Sequence, residues 1–166
     1  AGLIKEGIEI GDRLAILSSN CEDFMVLCGA AAKIGAVIVP VNYRLGESEI
    51  EYIINDTTPK YIFSSKEYHE AAERALSFSG SLKKHYIFNK DSQVGAAIPF
   101  ENLFLNESSE KAGETSSDLA YMIIHTAAVG GNPRGCVLSQ FNMLAVGFQM
   151  GHIFKLTRDD CNVGTL

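Results

Sequence analysis

Tryptophan is absent from this chain, and four prolines are too few to break up regular structure across 166 residues. The four cysteines, Cys21, Cys28, Cys136 and Cys161, form no Cys-x-x-Cys pair, which excludes a zinc ribbon or a thioredoxin-like redox motif. Cys21 and Cys28 lie seven residues apart, two turns along a helix and too far to bridge. All four are expected to be small buried apolar residues. The histidines His69, His85, His125 and His152 show no metal-ligand spacing, so no metal site is expected. No run reaches the roughly 18 uninterrupted apolar residues of a membrane span, and Lys33 interrupts the apolar stretch 26–41. No basic stripe is present and the net charge is −6, which argues against a nucleic-acid partner and against an anionic membrane surface. Residues 1–6 lack the charge and cleavage pattern of a signal peptide, so the expected setting is the cytoplasm.

What is there is an ordinary globular balance. Hydrophobic residues make up 46% and charged residues 20%, enough to bury one sizeable core. Short apolar runs alternate with helical periodicity. Residues 13–17 read as a buried strand, followed by Ser18, Ser19 and Asn20 as turn and helix cap. Residues 22–34 place Phe24, Val26, Leu27, Ala30, Ala31 and Ile34 on a helix packed against a sheet, ended by Gly35. Strands are expected at 37–41, 61–63 and 85–88, with helices at 47–55 and 66–78 between them. Residues 89–117 read as an irregular surface connection with one short helix near 100–105. A fifth strand is expected at 118–125 and a final helix after Ser139, running to about Phe154. This alternation predicts an α/β fold: a mostly parallel, doubly wound sheet with helices on both faces. The chain is expected to be a single partial domain, with strand–helix units over 1–88 and a second block over 118–154. Its ends read as falling inside secondary-structure elements, so it is expected to be part of something longer.

The singular segment is residues 125–135, His-Thr-Ala-Ala-Val-Gly-Gly-Asn-Pro-Arg-Gly, directly after an apolar strand. Glycines let backbone amides approach an anion closely, and successive amides in such a loop form a concave nest. A neighbouring arginine adds a bidentate phosphate contact. The segment is neither the Gly-x-x-x-x-Gly-Lys-Ser/Thr phosphate loop nor the dinucleotide Gly-x-Gly-x-x-Gly. The same residues also suit a glycine-rich hairpin between two strands with Arg134 solvated.

At this point the chain resembles the adenylate-forming superfamily of acyl-CoA synthetases, luciferases and nonribosomal-peptide adenylation domains. Residues 11–20, Gly-Asp-Arg-Leu-Ala-Ile-Leu-Ser-Ser-Asn, resemble the family's GDRVAILSPN. Residues 33–45 resemble KAGAVVVPVNPRL, and residues 49–56 resemble ELAYILNDS. Residues 125–142 resemble YTSGTTGxPKGVxLSHxN. These stretches occur in the family's order along nearly all of the chain. The loop departs from the pattern: His125 stands where an aromatic is usual, Ala127, Ala128, Val129 and Gly130 replace Ser, Gly, Thr and Thr, and Arg134 replaces Lys. Gln140 stands in place of the following His. Up to three hydroxyl donors are thereby removed.

The resemblance implies an internal part of the large N-terminal domain of an AMP-forming acid–thiol ligase. Such an enzyme uses ATP with Mg2+, a small-molecule carboxylic acid, and coenzyme A as the second substrate. It implies that Thr126, Ala127, Ala128, Val129, Gly130, Gly131, Arg134 and Gly135 hold the nucleotide phosphates, and that no catalytic residue falls within these 166 residues. Two other classes remain open: a non-catalytic nucleotide-binding or interaction domain with a degenerate loop, and a flavodoxin-like or Rossmann-like oxidoreductase domain. Asn42, Tyr43 and Arg44 follow a predicted parallel strand, at the edge where ligands gather in such sheets. Arg44 is read as a fold-stabilising contact and is given no chemistry.

Overall fold

A computed structural model describes residues 1–89, 94–105, 115–127 and 132–161. Among these residues seven strands form one sheet: β1 (Arg13–Leu17), β2 (Val37–Pro40), β3 (Tyr61–Ser64), β4 (Lys84–Ile87), β5 (Ile98–Pro99), β6 (Ala120–His125) and β7 (Gly135–Ser139). Their spatial order is β5-β4-β3-β1-β2-β6-β7. Every pairing is parallel except β6 with β7. Among the described residues five α-helices accompany them: α1 (Gly2–Lys5), α2 (Glu22–Ile34), α3 (Glu47–Thr57), α4 (His69–Phe78) and α5 (Gln140–Ile153).

The pleat sorts strand residues onto two cores. On one face, Leu14, Ile16, Ile38, Phe63, Tyr86 and Phe88 pack against Leu27, Cys28 and Ala31 of α2. On the other, Ala15, Leu17, Val39 and Ile62 pack against Ile50, Ile53 and Ile54 of α3 and Ala72 and Ala75 of α4. Strands β1 and β3 read as continuous apolar runs because helices cover both of their faces.

Local chemistry sets the boundaries. Helix α2 starts at Glu22 with Cys21 as N-cap, one residue beyond the expected Ser-Ser-Asn cap. No side chain caps it, and Glu22 and Asp23 instead place negative charge in its first turn. Gly35 ends it in the left-handed region at φ 71°. Helix α3 runs two residues past the expected Asn55, because the Thr57 hydroxyl donates back to the Ile53 carbonyl at 2.6 Å. Arg13 then covers its end, donating to the Thr57 and Thr58 carbonyls at 2.8 and 3.0 Å. The expected helix over 66–78 divides into a 3-10 turn, Lys66–Tyr68, and α4. Ser139 caps α5 as expected, accepting from the Asn142 amide at 3.2 Å.

The second half differs more. The short strand β5 lies in the stretch read as irregular, followed by a 3-10 helix, Phe100–Leu103. Cys136 and Cys161 are exposed, against the expectation that all four cysteines are buried; Cys28 is buried and Cys21 half-buried. Helix α5 is apolar nearly all round, and Phe141, Leu144, Val146, Phe148 and Ile153 are each more than half exposed. Among the described residues no helix is long and apolar enough to cross a membrane.

Two carboxylates tie the N-terminal segment to the sheet edge. Lys84 hydrogen-bonds Glu6 and holds its carboxyl below the ordinary range. Burial pushes Asp12 up, but Lys60 at 2.6 Å and the Glu9 amide outweigh it and leave it lowered as well. The unfolded chain therefore binds more protons than the folded one on the acid side. The stability that these two carboxylates contribute is expected to be fully present above about pH 5 and to be lost as pH drops through their lowered values. A thermal-midpoint series against pH tests this: Glu6→Gln with Asp12→Asn flattens that acid limb, whereas an unchanged slope excludes both residues as its source.

Candidate functional site

The segment after β6 is a hairpin connection between β6 and β7, with His125 opposite Gly135 in the register. Its neck is closed twice. The Thr126 amide donates to the Arg134 carbonyl at 3.0 Å, and the Arg134 amide donates to the Thr126 hydroxyl oxygen at 3.3 Å. Thr126 Oγ1 thus accepts from the Arg134 amide, and among the described residues its own proton has no acceptor. The expected hairpin is present at this neck, and the phosphate-cradle expectation concerns the loop that it carries. Ala127 and Arg134 are exposed, and among the described residues the Arg134 guanidinium meets no carboxylate within 4 Å. Ala128, Val129, Gly130 and Gly131 lie outside the described residues.

Gly135 has a packing reason of its own. A Cβ there would stand 2.9 Å from Ile123 Cγ2 and 3.3 Å from His125 Nε2. The His125 ring lies across the hairpin with a side chain only 5% exposed, and its Nε2 sits 3.2 Å from Asp56 Oδ2 of α3. That contact anchors the end of β6 to the helix on the neighbouring face. Gln140, at the start of α5, donates to the Ala32 carbonyl at 2.9 Å and fastens the hairpin to α2.

Parallel strands β2 and β6 are neighbours, so the segments after them share one edge of the sheet. There Asn20, Asn42, Tyr43 and Arg44 line an open cleft of about 240 Å³. The chain passes from β1 to β2 on one side of β1 and to β3 on the other, so this cleft marks the switch point where α/β sheets gather ligands. Tyr43 stacks on Tyr68 with ring centroids 4.9 Å apart, and Arg44 lies 5.7 Å from the Tyr43 ring. Arg44 therefore has a local structural partner, in line with the fold-stabilising contact expected of it.

A family model described as AMP-binding enzyme matches residues 1–166, the whole of the chain. The chain belongs to the AMP-binding enzyme family. It is 26% identical over 166 residues to the crotonobetaine/carnitine–CoA ligase of Citrobacter koseri, which covers 95% of this chain and 31% of that protein. It is 31% identical over 134 residues to the long-chain-fatty-acid–CoA ligase FadD13 of Mycobacterium tuberculosis, covering 79% of this chain and 25% of the relative. A Rhodopseudomonas palustris crystal structure described as a long-chain-fatty-acid CoA ligase superposes with a TM-score of 0.87 at 36% identity, covering 99% of this chain and 41% of that one. The chain thus spans between a quarter and a third of the length of these two curated relatives. Its fold is that of the N-terminal domains of acyl-CoA synthetases. Membership in this family sets aside the oxidoreductase alternative.

One constellation is not foreseen by the sequence pattern. His69 and Glu73, four residues apart on α4, meet His85 of β4. His85 Nδ1 lies 2.5 Å from Glu73 Oε1, and His85 Nε2 lies 2.7 Å from Ser64 Oγ. Burial lowers the His85 pKa, against the pull of Glu73, which favours the neutral ring. The His-x-x-x-Glu spacing is visible in the sequence. Its meeting with a residue 12 positions further on depends on how α4 packs over β4.

Proposed function

We propose that the whole protein is an AMP-forming acid–thiol ligase and that this chain contributes its phosphate-binding loop. A carboxylate oxygen attacks the α-phosphorus of Mg-ATP, forming an acyl-adenylate and releasing pyrophosphate. A thiol, that of coenzyme A, then attacks the acyl carbon and releases AMP. The protein's share of such chemistry is positioning and charge stabilisation. In this reading the loop over 126–135 holds the β- and γ-phosphates. Its backbone amides supply the nest, Thr126 supplies its remaining hydroxyl proton, and Arg134 supplies a charged fork. Gly135 keeps the hairpin neck narrow beside His125. The observation that carries the reading is the family match over 1–166 together with an exposed guanidinium at the neck of the loop that pairs with no carboxylate among the described residues. The cytoplasm is the setting in this reading, with no nucleic acid as partner.

The chain alone is expected to form no thioester. The decisive measurement is carboxylate-dependent ATP–pyrophosphate exchange by the full-length protein across short, long and aromatic acids. Exchange with any acid supports adenylation and names the substrate class. No exchange from folded protein overturns it in favour of a binding domain with a degenerate loop.

A further inference from the structure

We propose that His69, Glu73 and His85 form a site for one divalent transition-metal ion of the zinc class, separate from the phosphate loop. One ligand atom from each residue lies within 4.8 Å of the other two. Positions four apart on a helix share a face, so α4 presents His69 and Glu73 together. The pleat of β4 turns His85 toward that helix, while Tyr86 packs into the opposite core. Two imidazoles and one carboxylate, with a position left open, are the donor set of three-ligand zinc sites.

The surroundings suit an ion better than they suit hydrogen bonding alone. Ser64, His85 and Glu73 stand in the order of a hydrolase triad, but Ser64 is 0% exposed and no ester can reach its hydroxyl. The three also account for both nitrogens of His85 without any part for His69. Yet His69 packs parallel to His85, with ring centroids 5.7 Å apart, and its Nδ1 is buried with no hydrogen-bond partner among the described residues. Burying a polar atom without a partner is uncommon, and a shared ion would supply one. Gly95 makes room for this ring: its φ is +59°, and a Cβ there would stand 2.9 Å from His69 Cε1. Ser64 occupies the outer position that orients a ligating histidine.

Loading requires modest movement. Metal–nitrogen bonds of about 2.0–2.1 Å set tetrahedral donors about 3.3 Å apart, so the Glu73 carboxylate must swing away from His85 by about 1 Å. Glu73 is 34% exposed and free to do so, and its side offers the ion a way in. Binding of the ion at His85 Nδ1 displaces the proton held there, and the ring takes one up on Nε2, so it stays neutral and donates to Ser64. Four strand steps separate β4 from β6, about 19 Å at 4.8 Å each, so this ion is not the magnesium that accompanies ATP.

The test uses the full-length protein, stripped with a chelator and titrated with Zn2+ alone by calorimetry, and with Co2+ alone by visible absorption. Wild type is expected to bind one equivalent at this site, with a tetrahedral Co2+ spectrum lacking thiolate charge transfer. H69Q and E73Q, which keep size and hydrogen-bonding capacity, are expected to lose that equivalent. S64A is expected to weaken it about tenfold to a hundredfold. Metal-free unfolding midpoints of all three variants establish that each is folded before its binding is compared. Failure of wild type to bind Zn2+, or binding unchanged in both H69Q and E73Q, overturns the site. Neither result bears on pyrophosphate exchange, so this proposal and the ligase reading fail independently.

Discussion

Arg134→Ala in the full-length protein is expected to lower ATP–pyrophosphate exchange by about tenfold to roughly a hundred and fiftyfold. That range is the ~1.5–3 kcal/mol of a hydrogen bond to a charged group, converted at about 1.4 kcal/mol per decade. The guanidinium is exposed at the loop neck and pairs with no carboxylate among the described residues, so its removal should leave the unfolding midpoint in place. The effect therefore reads ligand binding, not folding. Loss confined to KM for ATP means that Arg134 holds ground state and transition state alike. Loss in kcat means that it grips charge developing on departing pyrophosphate. Arg134→Lys keeps the charge but not the planar fork, and is expected to recover part of the activity. Exchange unchanged in Arg134→Ala would remove this residue from the phosphate site. The case is sharper here than in a loop rich in hydroxyls, because Ala127 and Ala128 offer no side-chain donors to share the work.

How much of the structure is readable in the sequence depends on the range over which each feature is decided. Strand β1 and helix α2 have the expected bounds, because burial on both faces and the Gly35 stop are local properties of the chain. The two-residue strand β5 is not readable, since Ile98 and Pro99 carry too little pattern and pair only through the register with Tyr86 and Ile87. Strand β7 shows only as an apolar stretch: Gly135, Cys136 and Val137 are exposed, so no alternation marks the buried side. The loop is legible as a glycine-rich segment with a cation, and its assignment to phosphate comes from the family resemblance. The geometry adds the closed neck between Thr126 and Arg134 and the reason for Gly135. The cluster at His85 is the opposite case. Its members come from α4, β4 and β3, and only the β3–β4 register, His85 opposite Ile62, brings Ser64 within reach.

Phe63→Ala is expected to destabilise the domain by about 3–5 kcal/mol, a large part of the roughly 5–15 kcal/mol that holds a typical domain folded. Phe63 is fully buried in β3, and its ring lies 5.1 Å from Tyr86, 6.0 Å from Phe88 and 5.9 Å edge-on from Phe100. The cavity left behind cannot collapse easily, because Tyr86 is held in β4, Phe88 directly after it donates its amide to the Ser64 carbonyl at 2.8 Å, and Phe100 opens the 3-10 helix that follows β5. Removing Phe63 therefore loosens the edge that carries three other aromatic side chains at once. Urea midpoints of the intact protein measure the loss. Phe63→Leu separates its causes: it keeps most of the buried volume and forfeits only the ring–ring geometry, about 0.5–1.5 kcal/mol for each aromatic pair. If Leu is tolerated as well as Phe, packing volume alone holds this core. If Leu costs more than half as much as Ala, the stacked arrangement itself fixes the β3–β4 edge. In either case turnover per folded molecule is expected to stay unchanged, because Phe63 sits on the α2 face of the sheet and packs among Tyr86, Phe88 and Phe100.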